Sequence, residues 1–362
     1  MSDVLNCNLT KEYLASKKAY PIYVKLPLVE FEEYENDCKF IPESIEKNYK
    51  KMDPKYLAKL SFDYKDKVEK VKNGIKINQN FYSKIAKKQK PKFDDVKYTE
   101  KQKKEYFQND GDFLRKYFLE LLIREWGEEG KEERDKSYGE VIKELKKYLD
   151  YEKQEEIKDK KILLPKNRLG RLAYELSKLG YNVDLLEDYY IYLIADDYLF
   201  NDSEKFGDTV CPRIHSFCSS FSEESVLKQH KIPDEDIKND IKNKNIILYQ
   251  EEFLKFCKGK KDVYDVVITV FSLEDVKNIV EYIETVHEIL KKGGVWINLG
   301  SMAFSYANYG GYALAWDEMR QVILNYDFEF KREEKQVIPY LHIKGNSLPH
   351  TVGAIFFTAM KK

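Results

Sequence analysis

Glu187 ends a short apolar run, and Gly170 opens a helical stretch just upstream of it; an acid and a glycine in that setting could hold a nucleotide. The acid would accept hydrogen bonds from a ribose, and the glycine would let backbone approach the ligand closely. Both lie in Lys161 to Glu187, KILLPKNRLGRLAYELSKLGYNVDLLE. Ile162-Leu163-Leu164 has the pattern of a strand buried on both faces. A loop from Pro165 to Leu169 leads into a helix whose apolar face is Leu169, Leu172, Ala173, Leu176 and Leu179. Gly180 stops that helix, and Val183, Leu185 and Leu186 make a second strand. Strand, loop, helix, strand and terminal acid form the first unit of a doubly wound sheet. The loop itself reads Pro165-Lys166-Asn167-Arg168-Leu169-Gly170, and only its last residue is a glycine.

The rest of the chain must position that unit. Tyr20 to Pro27 reads as an extended arm, and Val29 to Lys88 as helical, broken at Pro42 and Pro54. Within it Val68, Val71, Ile75, Phe81 and Ile85 mark a long amphipathic helix. Residues 89–108 are polar enough for a linker or exposed loop. A second helical block runs from about Gly111 to Tyr151, with Phe118, Leu121, Leu122 and Trp126 on one stripe. The division expected is a mainly helical region over 1–154 and an α/β domain over 155–362. After Glu187, helix Tyr189 to Leu199 precedes strand Asn245 to Tyr249 and the acidic turn Gln250-Glu251-Glu252-Phe253. Tyr264 to Phe271 is the strongest buried strand, ending near Val270. Helix Ile279 to Leu290, a Lys291-Lys292-Gly293-Gly294 cap, strand Val295 to Leu299, helix Trp316 to Tyr326 and strands Phe328 to Lys331 and Gly353 to Met360 follow. Strands alternating with helices, then a closing strand pair, give an α/β sheet with an antiparallel edge.

Composition narrows the classes. Lys plus Arg (62) nearly cancels Asp plus Glu (63), so no global field argues for nucleic acid or an anionic membrane. No apolar run is long enough to cross a bilayer, and the N-terminus lacks a signal-peptide core. Cys7, Cys38, Cys211, Cys218 and Cys257 are odd in number and unpaired in pattern, which suits free thiols in a reducing compartment, cytoplasmic or nuclear. Cys211, His215 and Cys218 lack a second ligand pair, so no metal is expected. Lys87 to Lys92 reads as solvated surface.

The order of signals in the second half resembles class I S-adenosylmethionine-dependent methyltransferases, and several segments resemble the carnosine N-methyltransferase family within them. Those segments are Arg124-Glu125-Trp126, Gly130 to Arg134 and Tyr138; Leu164-Pro165 with Leu169 to Ala173; Ile214 to Phe217; Ile232-Pro233-Asp234; Asn278 to Thr285; and Gly293 to Gly300. The resemblance implies a seven-stranded Rossmann-like sheet, S-adenosylmethionine as cofactor, and methylation of an imidazole nitrogen in a histidine-containing dipeptide. It implies cofactor contacts at Arg134, Gly170, Glu187, Glu252, Phe253 and Val270. It implies acceptor contacts at Glu274 and Asn278. A sulfonium donor is intrinsically reactive, so alignment supplies most of the rate.

This chain departs from the family where activity resides. The family's P-G-A-G-L-G-R-L is Pro165-Lys166-Asn167-Arg168-Leu169-Gly170-Arg171-Leu172 here, so two glycines have become bulky cations. Their side chains would occupy the space of the donor's methionine end. G-D-F is Glu251-Glu252-Phe253, F-I-D-T-A-H-N is Ser272 to Asn278, and L-Y-H-F-E-N is Ala303 to Asn308. The histidines of the last two segments are Lys277 and Ser305 here, and no tyrosine stands between Ser347 and Phe356. Two functions follow. One is an N-methyltransferase with an altered acceptor, a small imidazole-containing molecule or a peptide. The other is a catalytically inactive relative that binds or scaffolds a protein or RNA partner. Neither calls for a membrane.

Overall fold

The computed structural model describes residues 21–108, 117–150, 152–240, 245–303, 312, 314–345, 347 and 350–362. Cys7 and the segment 304–308 lie outside the described residues.

Ile162-Leu163-Leu164 reads as an uninterrupted apolar run because it is the middle of a sheet packed on both faces. It belongs to β1 (Lys161–Pro165), which pairs in parallel with β2 (Asn182–Glu187) on one side and β6 (Tyr264–Val270) on the other. β5 (Ile246–Gln250) extends the sheet beyond β2 and β7 (Leu290–Gly300) beyond β6, both in parallel. β9 (Thr351–Lys361) and β8 (Phe328–Pro339) complete an antiparallel edge. The full order is β5-β2-β1-β6-β7-β9-β8, the seven-stranded class I methyltransferase arrangement. Two short strands, β3 (Asp208–Val210) and β4 (His230–Ile232), pair separately.

Alternate residues of each strand serve opposite faces. Ile162, Leu164, Val183 and Leu185 join the core beneath α6 (Arg171–Lys178) and α7 (Tyr190–Asn201). Leu163, Leu186 and Trp296 join a second core beneath α9 (Ile279–Ile289) and α10 (Trp316–Asn325). Helix α6 ends as expected at Gly180, with φ of +97°. The Tyr181 amide donates to Leu176 O at 3.1 Å and the Gly180 amide to Ser177 O at 2.9 Å, a Schellman pair.

The first core continues into the N-terminal helices. Here the extended arm is corrected: Ile22–Asp37 is one helix, α1, despite Pro27 inside it. Val24, Leu28, Phe31 and Tyr34 recur at helical spacing, each 1% exposed or less, and burial of that stripe overrides the alternating look of the segment. α2 (Phe40–Lys50) takes Pro42 into its first turn, and α3 (Tyr64–Lys87) is the long amphipathic helix. Residues 89–108 are not a linker: they hold helices Lys90–Phe93 and Glu100–Gln108. Phe93 is buried, Gln89 donates to Asp197 at 2.8 Å, and Lys103 pairs with Glu33 at 2.6 Å. The polarity of that stretch is spent on ion pairs with α1 and an amide hydrogen bond to α7. Residues 118–145, with α4 (Phe118–Trp126) and α5 (Glu140–Leu145), are helical as expected. Lys291 to Gly294 is no separate cap; β7 already begins at Leu290, and its register on β6 shifts between Tyr264 and Val266.

Candidate functional site

The chain order reverses direction across the sheet between β1 and β6, and ligands of such sheets bind outside the carboxyl ends of the strands at that point. The loop leaving β1 carries three left-handed residues, Lys166 (φ +54°), Leu169 (+58°) and Gly170 (+61°). Its path is that of a glycine loop, although only one of the three is glycine. A Cβ on Gly170 would meet the Phe200 ring at 2.6 and 2.8 Å. The loop is tied down at both ends. The Lys166 amide donates to Leu186 O at 2.9 Å, and the Trp126 indole N–H donates to Leu169 O at 2.7 Å.

Beneath the loop, the segments that carry the family resemblance close into one buried network. Arg134 donates through Nη1 to Arg124 O (2.7 Å) and Gly127 O (2.8 Å), and through Nη2 to Asp234 (2.6 Å). Arg171 donates to the other oxygen of Asp234 at 2.5 Å, to Glu125 O at 2.8 Å and to Glu175 at 2.7 Å. The Asp234 amide donates to Trp126 O at 2.9 Å. Arg124 pairs with Glu125 and Glu133, and Glu133 also accepts from the amides of Leu341 and His342, each at 3.1 Å. Gly130 is obligatory here, since its Cβ would sit 2.2 Å from Arg124 O and 2.6 Å from Arg134 Nη1. Arg134, expected to reach a cofactor carboxylate, instead spends Nη1 and Nη2 on main chain and Asp234. Arg124 was given no role on sequence grounds. It retains a buried Nη2 with no hydrogen-bond partner, and its guanidinium lies 5.2 Å from the Phe271 ring and 5.3 Å from the Tyr340 ring.

Glu187 closes β2 and is 1% exposed. Its Oε1 accepts from the Tyr189 amide at 2.9 Å, and its Oε2 is buried without a partner. Burial, then the neighbouring Asp188 charge, pushes its carboxyl up to about 8. Asp196 on α7 was not singled out from sequence, although Asp196-Asp197 is the only acidic pair in that apolar helix. It is fully buried with both oxygens unpartnered, and burial drives its carboxyl well above the ordinary aspartate range. Between an unfolded glutamate near about 4.3 and the folded value of about 8, the folded chain keeps a proton that the unfolded chain releases. Stability contributed by Glu187 therefore falls as pH rises through that window, by up to about 1.4 kcal/mol per unit, then levels off. Glu187→Gln should remove the decline. Urea unfolding of both proteins from pH 5 to 8 reads it, and a constant difference between them would mean that Glu187 is already ionised when folded.

The other expected residues divide by environment. Glu252 stands at the start of α8 (Phe253–Cys257), half-exposed and 3.4 Å from Lys255. Phe253 is buried and stacked on Tyr282 with centroids 4.1 Å apart. Val270 ends β6 within the core. Glu274 accepts at Oε1 from the Ser301 amide (2.8 Å) and hydroxyl (3.0 Å), while Oε2 is buried without a partner; burial raises its carboxyl. Asn278 caps α9, accepting from the Glu281 amide at 3.3 Å and donating to the Glu281 carboxylate at 3.2 Å. His215 Nε2 meets the Tyr34 hydroxyl at 2.8 Å. Among the described residues no three His, Cys, Asp or Glu side chains group as metal ligands, and no helix is long and apolar enough to cross a membrane.

For S-adenosylmethionine these residues fit in part. The unpartnered Oε2 of Glu187 at the end of β2 suits a hydroxyl donor such as ribose. The loop does not fit as it stands, because the Lys166 and Arg168 side chains lie over the strand ends, paired with Asp188 (3.4 Å) and Asp275 (2.5 Å).

Known proteins extend the picture. The chain is 29% identical over 224 residues to the carnosine N-methyltransferase of Mus musculus, covering 61% of this chain and 56% of that one. It is 32% identical over 195 residues to carnosine N-methyltransferase unmet of Drosophila melanogaster, covering 53% and 42%. With the Dictyostelium discoideum carnosine N-methyltransferase it shares 28% over 221 residues, covering 60% and 48%. The chain thus spans about half the length of the curated relatives it matches. The family model described as carnosine N-methyltransferase matches residues 102–362, which takes in the buried arginine network, the β1 loop and every strand of the sheet. With the match running through all three, the chain belongs to the carnosine N-methyltransferase family.

Proposed function

We propose that this chain is an S-adenosylmethionine-dependent N-methyltransferase whose small acceptor, imidazole-containing or peptide, differs from the family's dipeptide. The observation that carries the reading is the Glu187 carboxylate, buried at the end of β2 with one oxygen unsatisfied. A buried acceptor without a donor costs free energy unless a ligand completes it. The cofactor would supply an activated methyl group, leaving the protein to bind and align. In this reading Glu187 holds the ribose, the Gly170 loop faces the donor, Glu252, Phe253 and Val270 flank the adenine, and Glu274 holds the acceptor through Oε2. Arg124, with its unpartnered Nη2, takes the carboxylate role first expected of Arg134, and Asn278 serves as the helix cap. The altered acceptor rests on Lys277 and Ser305, which replace imidazoles of the family.

A second reading, a catalytically inactive subunit that binds or scaffolds a protein or RNA, is favoured by one observation: Lys166 and Arg168 are ion-paired across the strand ends. Calorimetric titration with S-adenosylmethionine and S-adenosylhomocysteine separates the two. The first reading expects micromolar binding that weakens at least about tenfold in Glu187→Ala, as for loss of a buried hydrogen bond. Folded protein that takes up neither compound, with Arg168 in place or replaced by alanine, would overturn it in favour of the second.

A further inference from the structure

The two loops that flank the switch point, after β1 and after β6, are joined by one side chain. Arg168 Nη2 donates to Asp275 Oδ2 at 2.5 Å, and its guanidinium lies 5.7 Å from the centre of the Tyr192 ring. Lys166 runs alongside, over the end of β2: its Nζ is 3.4 Å from Asp188 and 5.3 Å from the centre of the Tyr189 ring. Asp188 and Tyr189 directly follow Glu187. Arg168, Asp188, Tyr192 and Asp275 line one cavity of about 500 Å³, together with Tyr23, Pro27 and Glu30 of α1. At the switch point, where a doubly wound sheet receives its ligand, Arg168 therefore bridges the β1 and β6 loops.

The backbone argues that this is an addition to a ligand loop and not its loss. Lys166 and Leu169 hold left-handed conformations that strain any residue but glycine. Of the two family glycine positions that carry cations here, Lys166 keeps the left-handed backbone, and the added side chains of Lys166 and Arg168 are paired at the strand ends. The arginine is three-quarters or more buried along its side chain and held by both a carboxylate and a ring face. Such a planar, stacked ion pair is stronger than an exposed one, and lysine could not reproduce it.

We infer that Arg168 is a latch on the donor crevice: paired with Asp275 it closes the gap between the β1 and β6 loops, and its displacement sets the donor affinity of this chain. The inference rests on the proposed donor site. It makes Arg168 a determinant of affinity that lies outside the set of residues proposed to hold the donor.

The test is titration of the full chain with S-adenosylhomocysteine, for the wild type, Arg168→Gly and Arg168→Ala. The alanine variant removes the latch without adding backbone freedom. Both variants should bind about tenfold more tightly than the wild type, the scale of a partly buried charge pair. Equal or weaker binding to folded variants, with the wild type binding well, would overturn the latch and leave the donor site standing. Failure of all three folded proteins to bind would overturn both. Binding only after Arg168 is removed would support both.

Discussion

Asp234→Ala lowers the unfolding free energy by about 3–5 kcal/mol, the cost of removing one partner from a buried ion pair. Asp234 divides its two oxygens between Arg134 and Arg171, whose side chains are only 6% and 3% exposed. Without the carboxylate, two guanidiniums remain in the interior with one charge fewer between them. Main-chain acceptors on Arg124, Gly127 and Glu125 would still hold them in place, so the charges could not swing out to water. Urea denaturation reads the effect as a lower midpoint at an unchanged slope. A loss below about 1 kcal/mol would show that water reaches both arginines and that the network behaves as a surface one. The variant should also loosen the β1 loop, because the carboxylate orients Arg171, which donates to Glu125 O beside Trp126, and the Trp126 indole holds Leu169 O.

Gly170→Ala is the second large effect, expected at about 2–4 kcal/mol. Part is conformational: φ of +61° costs an L-residue about 1 kcal/mol or more. The larger part is steric. The added methyl would lie 2.6 and 2.8 Å from two atoms of the Phe200 ring, which is fully buried and set edge-on to Trp126 at 5.8 Å. That ring has no room to retreat, and overpacking of a dense core costs about 1–3 kcal/mol. A double-mutant cycle with Phe200→Leu separates the two parts. The leucine should recover the steric share in the Gly170→Ala background while destabilising the parent protein. Simple additivity in that cycle would mean that the clash is relieved elsewhere and that backbone strain alone accounts for the loss.

These two positions show how the family-like segments work in this chain. Arg124 to Arg134, the β1 loop and Ile232-Pro233-Asp234 are far apart in sequence, yet each supplies one piece of a single scaffold under the loop. Their charges are spent internally: Arg134 on two carbonyls and Asp234, Arg171 on Glu125 O, Glu175 and Asp234. The scaffold holds a left-handed path that the local residues would not choose. It also explains how the loop geometry survives with Lys166 and Leu169 at positions that favour glycine.

By itself the sequence determined the sheet and its order of elements. Apolar runs such as Ile162 to Leu164 and Val266 to Val270 are buried on both faces, and helices with a 3.6-residue period separate them. Such patterns are local, and a one-dimensional string records them in full. It also determined that an acid, Glu187, ends the second strand and that Gly170 begins the helix before it. Tertiary structure alone decided what the charged residues do. Arg134, Arg124 and Arg168 are equivalent cations on paper. Burial gave the first a full set of partners, left the second one free nitrogen, and drew the third across the crevice to Asp275. The helical fate of 22–37 and 89–108 was hidden for the same reason, since burial of the Val24 to Tyr34 stripe, the ion pair of Lys103 and the hydrogen bond of Gln89 depend on partners far away in the chain. Periodicity is a property of neighbours, whereas the role of a charge depends on which distant groups desolvate and pair it.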